Sequence, residues 1–298
     1  MNNYHIYNRK TIEDVIYSEG IGIHSGKITR LRFLPADLNT GIIFINKKFG
    51  MKSPIQATPD AVKDTNFAMT LSNEKWQVGT VEHLLSFFYI YGITDIIVEV
   101  DGNEIPIYDG SVNPIINIFN EKKFYIYEEI NYPIKILNPI WLFDANKFVL
   151  VLPADEAEIS YTIHYDHPLI KSQFAQFSLV KDVFNKEIAP ARTYGFLKDV
   201  SYLHKNSLGL GGSLQNTLLI SDDSFLNEPR FENECVRHKI LDFIGDISLI
   251  GKPLIGHFIV SKSGHTLNLA FIKKVKEIYS ILDIGNKIEF QSKVLNSI

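Results

Sequence analysis

Residues 231–251, FENECVRHKILDFIGDISLIG, form the stretch of sequence that decides the fold. A polar line, His238, Asp242 and Asp246, runs along it with a spacing of four. A His and an Asp one helical turn apart either chelate a single ion or form a surface ion pair, and spacing alone leaves both alternatives open. The segment is expected to be an amphipathic helix of about six turns, because apolar side chains recur at helical spacing. These are Phe231, Val236, Ile240, Phe243, Ile244 and Ile247.

The composition around this helix is that of a soluble globular protein. The 298 residues are 45% hydrophobic and 21% charged, which is enough chain for one large domain or two ordinary ones. A net charge of -4 provides no positive field for nucleic acid. The single cysteine, Cys235, excludes an intrachain disulfide and a cysteine-based zinc knuckle, and we interpret it as a core residue. Neither a signal peptide nor an apolar run of ~20 residues is found, so we expect a cytoplasmic protein without stable membrane insertion or a nucleic-acid partner.

The first third of the chain is predicted to form strands joined by turns, followed by helices. In the helix that begins with TVEHLL, Thr80 is the expected N-cap and Gly92 lies just past the end. The predicted elements are a hairpin at 13–36 turning at His24–Gly26, a strand at 41–46, a hairpin at 66–80 turning at 72–74, a helix at 80–92, a strand at 94–102 and a helix ending near 119.

Residues 121–134 are the predicted linker, because charge density rises there and Pro133 interrupts regular structure. A similar order then begins again, which indicates two related α+β domains, placed at 1–127 and 128–298. Residues 166–190 are predicted to be irregular. The elements predicted in the second half are strands within 134–165, a helix near 197–206, a strand at 216–221, the long helix at 231–250, a strand at 253–261 and a helix from about 264.

Two other segments carry groups suited to catalysis. Glu82 and His83 are adjacent on a predicted helix and therefore diverge by about 100°. One of them can bind a metal while the other acts as a base toward water, or both are structural. His265 ends the loop SKSGH, where it is an acid, a metal ligand or a capping residue. Gly264 permits an unusual backbone angle beside it.

The segment ARTYGFLKDVSYLHKNSLGLGGSLQNTLL, residues 191–219, combines a hydroxyl, aromatic rings and glycines. Thr193 offers the hydroxyl. Gly209, Gly211 and Gly212 allow close backbone approach but lack the spacing of a phosphate-binding P-loop. The apolar residues of this segment indicate either a helix packed on a sheet or an apolar passage beside a polar site. They are Tyr194, Phe196, Leu197, Tyr202, Leu203, Leu208 and Leu210.

Taken in order, the motifs TVEHLL, NEIPIYDGSVNPI, ARTYGF, LGLGGS, VRHKILDFIGD and SKSGH closely resemble those of the UDP-3-O-acyl-N-acetylglucosamine deacetylases, the zinc-dependent family of lipid A biosynthesis in Gram-negative bacteria. The resemblance implies two related domains, each a two-layer β/α sandwich of the ribosomal protein S5 domain 2-like type, with the active site between them. It implies hydrolysis of the N-acetyl group of a UDP-linked, 3-O-acylated amino sugar to acetate and the free amine. Another zinc amidase and a non-catalytic nucleotide-sugar or lipid-binding protein are the alternatives, and a monomer is expected.

The resemblance also implies roles for individual residues. His83, His238 and Asp242 match the zinc ligands, although two His and one carboxylate suit Fe²⁺ as well. The residues that match the chemical machinery are Glu82 as general base, His265 as protonated acid, Asp246 as the partner that orients His265, and Thr193 as a donor to the oxyanion. The implied substrate contacts are Lys239 for phosphate, Tyr194 for the sugar, Tyr161 for uracil, and Phe196, Leu203, Leu210, Gly211 and Ser213 for the acyl passage.

Overall fold

The computed structural model describes residues 7–279, and its first half is built from short strands and two helices. Turns of 3-10 helix lie at Gly50–Lys52 and Pro59–Ala61. The regular elements of this half are β1 (Asn8–Ile12), β2 (Ile16–Ile21), β3 (Ile28–Leu34), β4 (Ile42–Asn46), β5 (Ile55–Gln56), β6 (Val62–Asp64), β7 (Thr70–Ser72), β8 (Gln77–Val78), α1 (Glu82–Tyr91), β9 (Ile96–Asp101), α2 (Asn113–Phe119) and β10 (Phe124–Ile130).

The second half again runs from strands to helices. Its regular elements are β11 (Ile134–Lys135), β12 (Ile140–Asp144), β13 (Lys147–Leu152), β14 (Glu158–His164), β15 (Ser172–Ser178), α3 (Lys181–Val183) with a following π-helical turn (Phe184–Ile188), β16 (Tyr194–Phe196), α4 (Leu197–Lys205), β17 (Leu218–Ile220), α5 (Glu234–Ser248), β18 (Leu254–Ile255), β19 (His257–Ser261) and α6 (265–279).

Each half contains a five-stranded sheet, and the two sheets share one topology. The strand orders are β2-β3-β9-β4-β5 and β12-β13-β19-β14-β15. In both sheets the strand that comes last in sequence, β9 or β19, lies in the middle. It pairs antiparallel with β3 or β13 on one side and parallel with β4 or β14 on the other. The prediction of two related α+β units is therefore confirmed, although the sequence carries no strong internal repeat.

Helices α1 and α5 occupy equivalent places in the two halves and cross each other at Gly245. A Cβ atom built on Gly245 would lie 2.1 Å from the carbonyl oxygen of Glu82, so only glycine permits this approach. The crossing brings the first turn of α1, with Glu82 and His83, against the polar line of α5. The apolar faces of both helices are buried, including Leu84, Phe87 and Phe88 of α1 and Ile240, Phe243, Ile244 and Ile247 of α5.

The ends of α1 differ in how well they were predicted. Gly92 is in the left-handed region (φ 66°) and its N–H caps the carbonyls of Phe88 and Tyr89, as expected. The prediction that Thr80 is the N-cap is wrong, because Val81 holds that position without a side-chain cap. Thr80 has a φ of 58°, and its hydroxyl donates to Glu104 instead.

Two predictions about connecting segments are corrected. Half of the predicted linker, the sequence FYIYEEI, forms β10, which pairs antiparallel with β1. β10 lies across the boundary at 127/128, and that division remains a prediction. Residues 172–178, expected to be irregular, form β15 at the edge of the second sheet. An edge strand with one solvated face carries a weak hydrophobic pattern, as the exposed ring of Phe174 illustrates. Within residues 7–279, no helix is both long and apolar enough to cross a bilayer.

Candidate metal centre and active site

Three potential metal ligands meet where α1 crosses α5. The Nε2 atoms of His83 and His238 lie 3.6 Å and 3.4 Å from Oδ1 of Asp242, and one ligand atom from each residue falls within 4.8 Å of the others. The side chains of His238 and Asp242 are only 4% and 7% exposed. This burial excludes the alternative that they form a solvated surface pair, and two His with one carboxylate match a divalent-metal site.

The surroundings of the cluster favour the protonation states that a metal needs. Burial lowers the pKa of His238 to about 4, which leaves a neutral imidazole. Its Nδ1 lies 3.1 Å from the carbonyl oxygen of Ala191, which fixes the tautomer and leaves Nε2 as the ligand atom. Burial would raise the pKa of Asp242, but the ammonium of Lys239 holds this pKa well below its usual range. The donor set therefore fits a divalent cation.

Glu82 and His265 form a second ionisable pair beside the cluster. Oε1 of Glu82 lies 3.9 Å from Nε2 of His265, and Oε2 accepts the N–H of Met69 at 3.1 Å. Burial raises the pKa of Glu82. Burial alone would lower the pKa of His265, but the carboxylate of Asp246 overrides it and raises the pKa to about 9. One group is thus a base of increased proton affinity, and the other is a cation at neutral pH.

Asp246 is positioned to hold His265 rather than to contact a substrate. Both of its carboxylate oxygens lie 2.9 Å from Nδ1 of His265, and Asn268 donates to Oδ2 at 2.7 Å. Asp246 is fully buried. The imidazole therefore presents Nε2 toward Glu82 in a fixed orientation.

The cluster lies at one end of a cavity of about 490 Å³ that joins a polar end to an apolar one. At the polar end, the lining residues are Glu82, His83, Thr193, His238, Lys239, Asp242 and His265. Farther along, the wall is largely apolar, including Ile23, Tyr165, Phe196, Val200, Leu203, Leu214 and Leu219. A site of this form combines buried ionisable chemistry with room for an apolar group.

A β16–α4–β17 unit builds the apolar wall. β16 and β17 pair in parallel, and α4 connects them without a single fully buried residue. The Phe196 ring packs between Tyr165 and His167, with centroid distances of 5.3 Å and 5.4 Å. His167 in turn lies with Nε2 2.8 Å from the carbonyl oxygen of Ser221. The apolar residues in this segment therefore line a passage and are not an ordinary helix face buried on a sheet.

The structure brings together most of the residues that the sequence singled out, with three exceptions. Leu210 is half exposed and does not line the cavity. Gly211 does not line it either, and its N–H donates to the carbonyl of Ile23. Tyr161 is fully buried, and its hydroxyl donates to the carbonyl of Ser263 at 2.8 Å. This burial leaves no ring face for uracil to stack on, and Tyr161 is a core residue.

Several residues that line the cavity were not predicted from the sequence. Val200 and Leu219 complete the apolar wall, and the spacing of Val200 from Leu203 was the available signal for the former. Ile23 and His24 reach the cavity from the β2–β3 turn, far away in sequence, and nothing local marked them. Nδ1 of His24 is buried without a hydrogen-bond partner among residues 7–279.

Lys239, expected to contact phosphate, lines the cavity and donates to Oδ2 of Asp242 at 2.8 Å.

Fold and site together define a class of protein: two related α+β halves that jointly supply a buried group of residues suited to hold a metal, beside the ionisable pair of Glu82 and His265. The model of the UDP-3-O-acyl N-acetylglycosamine deacetylase family matches residues 9–277, and the chain belongs to this family. It is 43% identical over 270 residues to the UDP-3-O-acyl-N-acetylglucosamine deacetylase of Leptospira biflexa, covering 90% of this chain and 89% of the relative. It is 41% identical over 270 residues to that of Thermodesulfovibrio yellowstonii (90% and 92% covered). Identity to the enzyme of Syntrophus aciditrophicus is 38% over 274 residues (91% and 87% covered).

Proposed function

We propose that this protein hydrolyses the N-acetyl group of UDP-3-O-acyl-N-acetylglucosamine, releasing acetate and UDP-3-O-acyl-glucosamine in lipid A biosynthesis. One observation carries the proposal: the buried cluster of His83, His238 and Asp242 opens into a cavity with an apolar wall. An N-acetylated sugar can meet the polar end while its acyl chain enters the apolar one. The names of the related enzymes support this substrate.

His83, His238 and Asp242 are the residues that would hold the metal, and we propose zinc. When bound there, zinc polarises a carbonyl group and acidifies a water molecule. The ligand set suits Fe²⁺ as well, so metal identity has to be measured. The protein is purified from cells grown with added zinc and from cells grown with added iron. Metal analysis of both preparations by mass spectrometry decides between the two metals.

The remaining steps of amide hydrolysis are assigned to residues of the chain. Water attacks the acetamide carbon, and Glu82 accepts the proton that the water loses. Thr193 donates a hydrogen bond to the developing oxyanion, and one such donor is typically worth about 3 kcal/mol. The bond between carbon and nitrogen then breaks as the nitrogen takes a proton from His265, which leaves acetate and a free amine.

Substrate binding is assigned to the two ends of the cavity. The Lys239 ammonium would attract the phosphates, and the Tyr194 ring, which lies 5.8 Å from that ammonium, would pack on the sugar. Phe196, Leu203 and Ser213 line the cavity where the acyl chain would lie. We also propose that the protein acts as a monomer in the cytoplasm, which light scattering and cell fractionation measure.

A coupled assay tests the function directly. Purified protein is incubated with UDP-3-O-acyl-N-acetylglucosamine, and acetate release and free amine are measured in parallel, with and without a chelator. We expect both products in equal amounts, loss of activity on chelation and recovery on adding Zn²⁺. Equal activity in the presence of chelator would contradict the metal-dependent mechanism, and no release of acetate would contradict the proposed substrate.

A further inference from the structure

Glu104 is a buried carboxylate that lies outside the cavity and joins two segments that line it. Only 6% of its surface is exposed. Oε1 accepts the backbone N–H of His24 at 2.8 Å and the hydroxyl of Thr80 at 3.2 Å, while Oε2 accepts the N–H of Ser25 at 2.8 Å. The carboxylate therefore ties the β2–β3 turn to the residue two positions before α1.

The turn that Glu104 holds forms part of the apolar passage. Ile23 and His24 line the cavity from this turn. On the other side of the turn, Gly211 donates to the carbonyl of Ile23 at 2.9 Å and Leu210 donates to the carbonyl of His24 at 3.2 Å. The turn from the first half and the glycine loop from the second, residues 208–213, are therefore joined backbone to backbone.

The packing around this junction leaves little freedom for the turn to move. A Cβ atom on Gly22 would lie 2.2 Å from Oε2 of Glu104. A Cβ atom on Gly211 would lie 2.2 Å from the carbonyl oxygen of Gly22. Carboxylate, turn and loop thus stack in direct contact, so the position of the turn follows the position of the carboxylate.

We propose that Glu104 is a positioning residue that sets the width of the acyl passage by holding Ile23 and His24 against the glycine loop. This inference rests on the proposed function, since it assumes that an acyl chain occupies the passage. A carboxylate accepts hydrogen bonds at both oxygens, whereas an amide presents an acceptor at one end and an NH₂ donor at the other. In Glu104→Gln, one of the two turn N–H groups therefore faces a donor and the turn is displaced.

Asp95 offers a matched control. It is also a fully buried carboxylate of the first half, and it accepts the backbone N–H of Gly41, the hydroxyl of Thr94 and the guanidinium of Arg9. Asp95 lies outside the cavity wall. Asp95→Asn therefore reports what the loss of a buried, loop-holding carboxylate does to the protein without displacing the passage.

The test compares kcat/KM for a long-acyl substrate with kcat/KM for the same sugar nucleotide carrying a short acyl chain. We expect Glu104→Gln to lower the long-to-short ratio about tenfold, mainly through KM, with metal content unchanged. Asp95→Asn should lower thermal stability and leave the ratio at the wild-type value. An unchanged ratio in Glu104→Gln, or an equal loss in Asp95→Asn, would overturn the inference.

Hydrogen exchange gives a second readout that does not require turnover. Amides in residues 20–27 and 208–213 should exchange faster in Glu104→Gln than in the wild type or Asp95→Asn, and equal exchange would overturn the inference. If Glu104→Gln does not fold, Gly22→Ala displaces the same turn and should give the same loss of ratio. If the wild type deacetylates neither substrate, the proposed function fails, while the exchange comparison still tests what Glu104 holds.

Discussion

The carboxylate of Glu82 lies beside the potential metal ligands, with burial raising its pKa and His265 3.9 Å away. We expect Glu82→Gln to lower kcat by about 10²–10⁴-fold, because an amide cannot accept a proton from water. Metal content should stay at the wild-type level. Steady-state rates and metal analysis of the same preparation measure both.

Glu99→Gln is the control for Glu82, because Glu99 is a carboxylate of the same half that pairs with Arg32. It should leave kcat unchanged. Near-normal turnover of Glu82→Gln would remove Glu82 from the mechanism, and loss of metal in that variant would instead make Glu82 a ligand.

The pairing of His265 with Asp246 predicts an alkaline limit to activity. Since the pKa of His265 is raised to about 9, the imidazole is protonated at neutral pH and loses its proton as the pH rises through 9. The rate should fall over the same interval. Stability should change in the same direction as the rate. The pKa of His265 is higher in the folded protein than its ordinary value of 6.5, so its contribution to the stability is complete below pH 6.5 and is lost as the pH rises through 9.

Asp246→Asn removes the charge that raises the pKa of His265, so the alkaline limb of kcat/KM should move to lower pH. His265→Gln should abolish that limb and retain only a low, less pH-dependent rate. pH–rate profiles of the three proteins measure this. A limb that stays in place in Asp246→Asn would show that another group titrates there.

At the scale of elements, the α1–α5 crossing depends on the absence of a side chain at position 245. Gly245→Ala places a Cβ 2.1 Å from the carbonyl oxygen of Glu82 and has to separate the helices. We expect a loss of about 1–3 kcal/mol in the free energy of unfolding, together with weaker metal binding, because the ligands lie on both helices. Denaturant unfolding and metal titration measure these effects.

Gly264→Ala is the matched substitution for stability, since a Cβ there has no atom within 4 Å. Its free energy of unfolding should stay within about 0.5 kcal/mol of that of the wild type. Equal stability of the two alanine variants would contradict the close helix crossing.

The two faces of α4 allow a test of the acyl passage. Leu203 lines the cavity, whereas Tyr202 is 62% exposed. Leu203→Trp fills part of the passage and should exclude the end of a long acyl chain. If three methylenes lose their contacts at about 0.8 kcal/mol each, kcat/KM for the long-acyl substrate falls roughly fiftyfold. Tyr202→Trp should leave it unchanged, and a similar loss in both variants would contradict the passage.

Elements with a strong local pattern were predictable from the sequence. The hairpin around His24–Gly26, the turn after Ser72 and the end of α1 at Gly92 form as expected. Thr80 was misjudged because Glu104, a distant residue, takes its hydroxyl. The pairing of β10 with β1 was missed because its partner is more than a hundred residues away in sequence.

For the whole molecule, the proposed metal site joins the two halves. His83 belongs to the first half, and His238 and Asp242 belong to the second. Metal bound only by the folded protein stabilises it by about 4 kcal/mol at a thousand times its Kd. Chelation should therefore lower Tm for the wild type, and His83→Ala should lose most of the metal-dependent increase in Tm.

His164→Ala serves as the control for His83, since His164 is exposed at the end of β14. It should retain the full metal-dependent change in Tm. Differential scanning calorimetry with and without metal measures the difference. An undiminished metal effect in His83→Ala would show that the metal binds within one half.

The sequence by itself determined the helices that carry the site, many of the strands, the order of the two halves and the residue types available for chemistry. These follow from periodicity, turn residues and motifs, which are local properties of the chain. Tertiary structure decided the rest. It buried His238 and Asp242, brought His83 to them and raised the pKa of His265 beside Asp246. Burial and distance between residues far apart in sequence depend on how the two sheets and the α1–α5 pair assemble, which no local pattern encodes.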